Sequence, residues 1–339
     1  MEWFKSYLNG RKQYVFLNSA SSSYSEVNCG VPQGSVLGPL LFIIYINDIV
    51  NSSKLLNFIL FADDTNIFYS HNDLAQLQQV VNDELCKLSN WFKSNIINML
   101  SLNAIKTNFM LFGFKPIPST STQFELRLDG NVLERVKVTK FLGVYVDEKL
   151  KWNDHINHVV SKVSRGLGML GRVRNVLPND VMKTLYFTLI YPYLMYCCII
   201  WGGAANTALN RLIVLQNRAV RLITFSPYRT SAGPIFKQLN FLQFENIRKL
   251  QISIFMFKCK NNLLPKSCSC YCPINLNRPY ELRISHHFIV PQFRTIAREQ
   301  CISAVGPRVW HGIPHDLTNL SCLWLFKREA HQYFLTKCQ

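Results

Sequence analysis

Two adjacent carboxylates, Asp63 and Asp64, stand between the apolar segments Phe58-Ile59-Leu60-Phe61 and Ile67-Phe68-Tyr69. That pattern predicts two largely buried strands joined by a tight hairpin, with only the turn reaching water. Side-by-side aspartates repel one another and are costly to desolvate unless a cation neutralises them. Hard oxygen ligands presented at a hairpin tip suit Mg²⁺ or Mn²⁺, which accept one or two protein carboxylates together with waters and substrate phosphates. Asp-Asp is also ordinary turn chemistry, so the pair alone leaves both readings open.

The elements around the pair narrow the choice. Upstream, Gly30-Val31-Pro32-Gln33-Gly34-Ser35-Val36-Leu37-Gly38-Pro39 packs three glycines and two prolines into ten residues, the composition of a loop whose backbone comes close to something. Ser35 or a neighbour can cap a helix running through Leu40, Leu41, Phe42, Ile44, Tyr45 and Ile46 to about Asn47-Asp48. Before the loop, Trp3 to Leu8 reads as a short amphipathic piece and Tyr14 to Leu17 as a short strand. Downstream, Asn72 or Asp73 opens a helix with Leu74, Leu77, Val81, Leu85, Leu88 and Phe92 on one side, a stripe able to cover one face of a sheet. Strands are predicted at 109–114, 124–128, 132–138 and 141–146, with Asp129-Gly130 as a turn. From Asp154 the periodicity becomes helical. Ile156, Val159, Val160, Val163, Leu167 and Leu170 form the apolar stripe, and His155, His158, Lys162, Arg165 and Arg172 fall on the opposite arc. Further helices are predicted after Pro178, over 209–223 and in the segment 294–339.

Charge divides the chain more sharply than hydropathy does. Residues 1–150 hold 13 basic and 13 acidic side chains; residues 151–339 hold 24 and 7, and so carry the whole formal charge of +17. A neutral half with the acidic pair and a basic half of one sign suit a cation site beside a surface that holds a polyanion. Eleven scattered cysteines without a secretion signal point to a reduced intracellular compartment, nucleus or cytoplasm. Cys268, Cys270 and Cys272 lack the spacing of a zinc knuckle, and free thiols are expected there despite His286 and His287 nearby. The uncharged run 184–210 is long enough for a membrane span, but Pro192, Gly202-Gly203, Asn206 and four tyrosines argue for a buried helical hairpin and no membrane.

The segment GVPQGSVLGPLLFIIYINDI, followed fifteen residues after Asp48 by FADD, closely resembles the palm of reverse transcriptases of non-LTR (long interspersed, Jockey-like) retrotransposons. LSLNAIKTNFMLF resembles the family's next palm motif, KFLGVYVDEKLKWNDHI its primer-grip region, and GPRVWHGIP with FKREAHQYFL its C-terminal tail. The resemblance implies an α+β fold: a partial polymerase palm over 1–150, an antiparallel sheet with helices, then a basic and mainly helical thumb over 151–265 and a cysteine-containing tail over 266–339. It implies two-metal nucleotidyl transfer, with an RNA template, a DNA primer and dNTPs as partners. Asp63 would be the principal metal ligand and Asp64 would assist. Gly30, Pro32, Gln33, Gly34 and Phe61 would line the template and incoming nucleotide, Lys106 would protonate pyrophosphate, and Phe141, Leu142 and Gly143 would form the primer grip. Lys162, Arg165 and Arg172 would contact nucleic acid. For Lys106 a surface position beside a strand, and for each arginine an ordinary solvated helix face, are the bland alternatives.

Two departures stand out. Phe61 replaces a tyrosine common in the family, a mild change because a phenyl ring still packs there. The family also takes an aspartate from a palm strand before the GVPQG loop, where residues 1–30 offer only Glu2 and Glu26. The expectation is an incomplete polymerase site, inactive alone. The rival is a remnant that binds RNA/DNA without catalysis.

Overall fold

A computed structural model describes residues 2–28, 30–32, 34–94, 103, 105–113, 124–271 and 288–337. They form two units, Met1–Lys137 and Val138–Gln339. The α+β class expected from the sequence holds: helices are interspersed with short strands.

In the first unit, α1 (Glu2–Leu8) leads into β1 (Arg11–Gln13), β2 (Phe16–Leu17), β3 (Ala20–Ser21) and β4 (Ser25–Val27). β1 pairs with β4 and β2 with β3, a nested ribbon turning at Asn18 and Ser19, whose φ of 48° and 66° match the primed turns that hairpins favour. The helix α2 (Gly38–Ile46) continues as a 3-10 turn over Asn47–Ser52, and β5 (Asn57–Phe61) and β6 (Asp64–Phe68) follow. α3 (Leu74–Ser94) starts at Asp73, whose carboxylate accepts from the Ala75 amide at 3.3 Å. The predicted stripe on α3 is the one it buries: Leu85, Leu88 and Phe92 pack with Ile46, Ile49, Leu126, Leu128 and Leu133, each worth about 1.5–3 kcal/mol if fully removed from water.

The polar side of α3 also shapes the strands. β7 (Asn108–Phe109), β8 (Arg127–Leu128), β9 (Asn131–Val132) and β10 (Glu134–Arg135) follow it. Asn82 accepts from Arg127 N at 2.8 Å and donates to Glu125 O at 3.1 Å, so a side-chain amide satisfies the strand edge. Asp129 and Gly130 form the predicted turn, with φ of 51° and 78°, and Asp129 is tied to α3 by Ser89 and by Lys93 at 2.7 Å. One expectation is corrected here. Among the described residues the strands do not join into one antiparallel sheet; they form separate two-stranded ribbons, and β10 pairs with β7 in parallel. Each hairpin closes on its own tight turn, which leaves short strands with little edge to share.

The second unit opens with a hairpin of β11 (Val138–Phe141) and β12 (Val144–Asp147). Its turn is Leu142-Gly143, so the strand predicted over 141–146 is broken by two residues at φ of 44° and 84°. Asp147 then accepts from the amides of Lys149, Lys151 and Trp152, closing the bend that enters α4 (Asn153–Val173). Next come α5 (Asn179–Leu189), α6 (Tyr191–Met195), α7 (Cys198–Trp201), α8 (Asn206–Ile223), α9 (Ala232–Leu239) and α10 (Phe244–Lys260). After a 3-10 turn at Lys266–Tyr271, α11 (Ile296–Glu299), α12 (Ile302–His311), α13 (His315–Thr318) and α14 (Leu323–Thr336) complete the chain. All the long helices of this unit share one core running from Ile156 to Phe334.

The uncharged run 184–210 is divided among α5 to α8, with breaks at Tyr196 and at Cys197 (φ 51°). No helix among the described residues is long and apolar enough to cross a membrane. Cys272, His286, His287 and the Cys270 side chain lie outside the described residues.

Candidate functional site

In the β5–β6 hairpin, Phe61 pairs with Asp64, Leu60 with Thr65, Ile59 with Asn66, and Phe58 with Ile67. Paired residues point to the same side, so the register sorts the ribbon into two faces. Phe58, Leu60 and Ile67 pack on the core. Phe61, Ile59 and Phe68 lie on the other face and remain 58%, 49% and 45% exposed. The expectation of strands buried on both sides is therefore wrong by one face, and Asp64 belongs to the open face beside the ring of Phe61.

The turn itself is Ala62-Asp63, and Ala62 carries a left-handed φ of 51°. A two-residue hairpin turn needs a positive φ at its first central position; alanine there is strained by about 1 kcal/mol. The consequence is that both carboxylates stand at the tip, exposed, with no hydrogen-bond or ion-pair partner among the described residues. Oxygen donors of this kind, adjacent and unneutralised, fit part of a divalent-cation site. No set of three His, Cys, Asp or Glu side chains able to hold a metal gathers among the described residues.

The glycine-proline loop is held at both ends. Arg11 donates from Nη2 to Gly30 O at 2.7 Å and from Nε to Leu8 O at 2.9 Å. The Ser35 hydroxyl donates to Pro32 O at 2.7 Å and accepts from Gly38 N at 3.1 Å, capping the first amide of α2 from two positions before the helix boundary. Gly38 is fixed by packing, since a Cβ there would lie 2.9 Å from Ser35 Oγ. Gly30 and Gly34 are different: both have positive φ (73° and 79°), and a Cβ on either would meet nothing within 4 Å, so the open backbone faces away from the protein. Pro32 is half-buried, and Gln33 lies outside the described residues.

Lys106 sits in a turn closed by Asn103, whose carbonyl and side-chain oxygens both accept from the Lys106 amide at 3.1 Å. Its ammonium is exposed and makes no ion pair with Asp63 or Asp64.

In the second unit, Phe141, Leu142 and Gly143 form the end of the β11–β12 hairpin. Tyr196 donates its hydroxyl to Leu142 O at 2.6 Å, and its ring lies 3.4 Å from where a Gly143 Cβ would be. That anchor is 54 residues away in sequence, and no local pattern marks it.

Lys162 is half-buried, while Arg165 and Arg172 are exposed; none is ion-paired among the described residues. Burial, followed by the nearby charges of Lys162, Lys140 and Arg165, lowers the pKa of His158, which places the β11 lysine in the same positive patch. His155 does not share it. The helical arc predicted it at the surface, yet it is 3% exposed: Nδ1 accepts from Tyr145 N at 3.3 Å and the ring meets Trp201 edge-on at 5.2 Å. Burial pulls its pKa down to about 4, so it is a neutral core histidine that ties β12 to α4.

Both the hairpin carboxylates and the glycine-proline loop lie within residues 1–146, which match the reverse transcriptase (RNA-dependent DNA polymerase) family. Over a longer stretch the chain is similar to the polymerases of Jockey-like and R1 retrotransposons. It is 29% identical to the probable RNA-directed DNA polymerase from transposon BS of Drosophila melanogaster, over 70% of this chain and 27% of that protein. With the probable RNA-directed DNA polymerase from transposon X-element of the same organism the identity is 30%, over 65% and 24%. With the RNA-directed DNA polymerase from mobile element jockey of Drosophila funebris it is 28%, over 66% and 25%. The matched stretch is thus about a quarter of the length of these relatives. No solved structure matches the chain.

Proposed function

We propose that this chain contributes the second half of a palm, and a thumb, to RNA-templated DNA synthesis. The observation that carries this reading is the Asp63-Asp64 pair, held unpaired at a strained hairpin tip on an open face and preceded by the glycine-proline loop. Mg²⁺ or Mn²⁺ bound there would stabilise the charge that develops during phosphoryl transfer. Asp63 supplies the turn carboxylate, and Asp64 supplies a second from the last paired position of β6. Phe61, beside Asp64, offers an apolar surface to a nucleotide. Gly30 and Gly34 leave backbone open for a template strand, and exposed Lys106 is free to protonate a leaving pyrophosphate. Lys140, Lys162, Arg165 and Arg172 hold the backbone of an RNA/DNA hybrid through charge.

Manganese EPR tests the carboxylates directly: the chain should bind Mn²⁺, and Asp63→Asn should abolish most of that binding while Lys106→Ala leaves it intact. Unchanged Mn²⁺ binding in Asp63→Asn sinks the assignment. Primer extension on an RNA template gives the catalytic counterpart, since incorporation that survives Asp63→Asn is incompatible with it.

A second reading is favoured by the charge pattern: between Asp154 and Glu245 the one acidic residue is Asp180. Such a surface binds nucleic acid with or without catalysis. Hybrid binding that falls steeply with salt and is unchanged in the Asp63→Asn/Asp64→Asn double variant, with no incorporation by the unaltered chain, identifies a binding module.

A further inference from the structure

The turn between α8 and α9 carries two exposed rings with no place in the core. Phe225 is 45% exposed and Tyr228 is 75% exposed. Each has a guanidinium over its face: Arg174 lies 4.9 Å from the Phe225 ring centre and Arg221 lies 5.9 Å from that of Tyr228. Arg229 is exposed in the same turn.

The turn is fixed by its own hydrogen bonds. Ser226 N donates to Arg221 O at 3.0 Å, Thr230 N to Pro227 O at 3.1 Å, and Arg221 Nε to Thr230 O at 2.7 Å, while the Thr224 and Ser226 hydroxyls meet at 2.8 Å. Phe225 follows the C-cap residue Thr224 with a φ of 55°, at the position where helices ordinarily place glycine or asparagine. A strained backbone therefore turns an apolar ring outward.

The sequence on either side of the rings is basic, with Asp180 the one acidic residue between Asp154 and Glu245. Arg172, Arg174, Arg218, Arg221 and Arg229 make no ion pair among the described residues. Favourable interaction with the C-terminal ends of α4 and α8 accounts for Arg172, Arg174 and Arg221. It accounts neither for Arg229 nor for two rings left in water. A ligand that satisfies both features carries negative charge and flat π faces at short intervals, which is the chemistry of unpaired nucleotides.

We propose that Phe225 and Tyr228 form a stacking platform for unpaired nucleotides, whose phosphates are held by Arg174, Arg221 and Arg229. The assignment rests on the nucleic-acid-binding reading above, but it concerns single strands rather than the hybrid and residues other than those of the palm. A preorganised turn gives the platform affinity without an ordering cost at binding.

Fluorescence anisotropy on the full chain tests it with three labelled probes of equal length: a single-stranded RNA, an abasic strand of the same charge, and a blunt duplex. Tyr228→Ala should weaken the base-bearing single strand about tenfold and leave the other two unchanged. Tyr228→Phe should bind like the unaltered chain. Arg229→Gln should weaken all three and flatten the salt dependence. Because Tyr228 is exposed, the thermal midpoint of Tyr228→Ala should not move, which separates the effect from misfolding. Equal losses on the abasic strand or the duplex, or no loss on the single strand, overturn the platform alone. Absence of binding to every probe at low salt overturns the nucleic-acid reading as well.

Discussion

The two units are built to different standards of order. In the second, one core runs through α4, α5, α8, α10, α12 and α14, and its fully buried amide side chain, Gln216, is satisfied. Gln216 donates to Tyr186 Oη and to Leu242 O, both at 2.9 Å, and accepts from Phe244 N at 2.8 Å. In the first, α3 covers a small core, and the ribbons and α2 leave Phe16, Leu17, Tyr24, Leu40, Ile43 and Ile44 more than half exposed. The carboxylates thus sit on the lightly packed unit and the basic surfaces on the heavily packed one. Local opening follows buried apolar contact, so the first unit should open at lower free-energy cost.

A core truncation in each unit gives the largest effect and the sharpest test. Trp201 is fully buried, stacks on Phe244 at 5.3 Å and donates from Nε1 to Tyr196 O at 2.8 Å. Trp201→Ala should cost about 3–5 kcal/mol, and Leu88→Ala in the first unit about 2–5 kcal/mol. Hydrogen exchange should show the first loss confined to the helices of the second unit, and the second to α3 and its strands. If each variant deprotects both sets of amides equally, the two units fold as one and the contrast fails.

Acid separates the units in a second way. The folded-state pKa of His155 is about 4 against an ordinary 6.5, so the unfolded chain binds the extra proton first. Stability in the second unit should therefore fall as pH drops from about 6.5 to about 4, by an amount on the order of 3 kcal/mol. In the first unit the titrating groups are carboxylates. Glu84 is held below its usual range by Lys87 and Ser53, and Asp129 by Lys93 and Ser89, and both stabilise until pH falls through the carboxylate range. Urea midpoints followed by unit-specific probes should show the second unit weakening first. His155→Leu should flatten its profile above pH 4 whatever it does to absolute stability; a profile unchanged by that substitution excludes His155 as the cause.

What the sequence made legible follows from how local each signal is. The stripe on α3, the Asp129-Gly130 turn and the end of α8 depend on residues within a few positions of one another, and all were readable. The Asp63-Asp64 tip was readable for the same reason. His155 was misplaced because helical periodicity reports an average face, while Trp201 and the Tyr145 amide, which draw the imidazole inward, come from distant positions. The exposed face of Ile59, Phe61 and Phe68 was missed because an apolar run predicts burial on both sides, and only the pairing register shows which side finds a partner. Tyr196 behind Leu142, and the rings of the α8–α9 turn, likewise depend on contacts that no spacing encodes.

The smallest predicted effect bears on the carboxylates most directly. Ala62→Gly removes the left-handed strain at φ 51° but adds unfolded-state freedom, so the net gain should be a few tenths to about 1 kcal/mol. In the second unit the comparable strain lies at Leu142, where a hydrogen bond from Tyr196 and a large core hold it, and Leu142→Gly should not shift global unfolding detectably. In the first unit the hairpin depends far more on its own turn, and slower exchange of the β5 and β6 amides should register the gain. Faster exchange after Ala62→Gly would mean that the alanine methyl, rather than the turn's backbone, holds Asp63 and Asp64 at the tip. The carboxylate geometry would then rest on a packing contact instead of on strain.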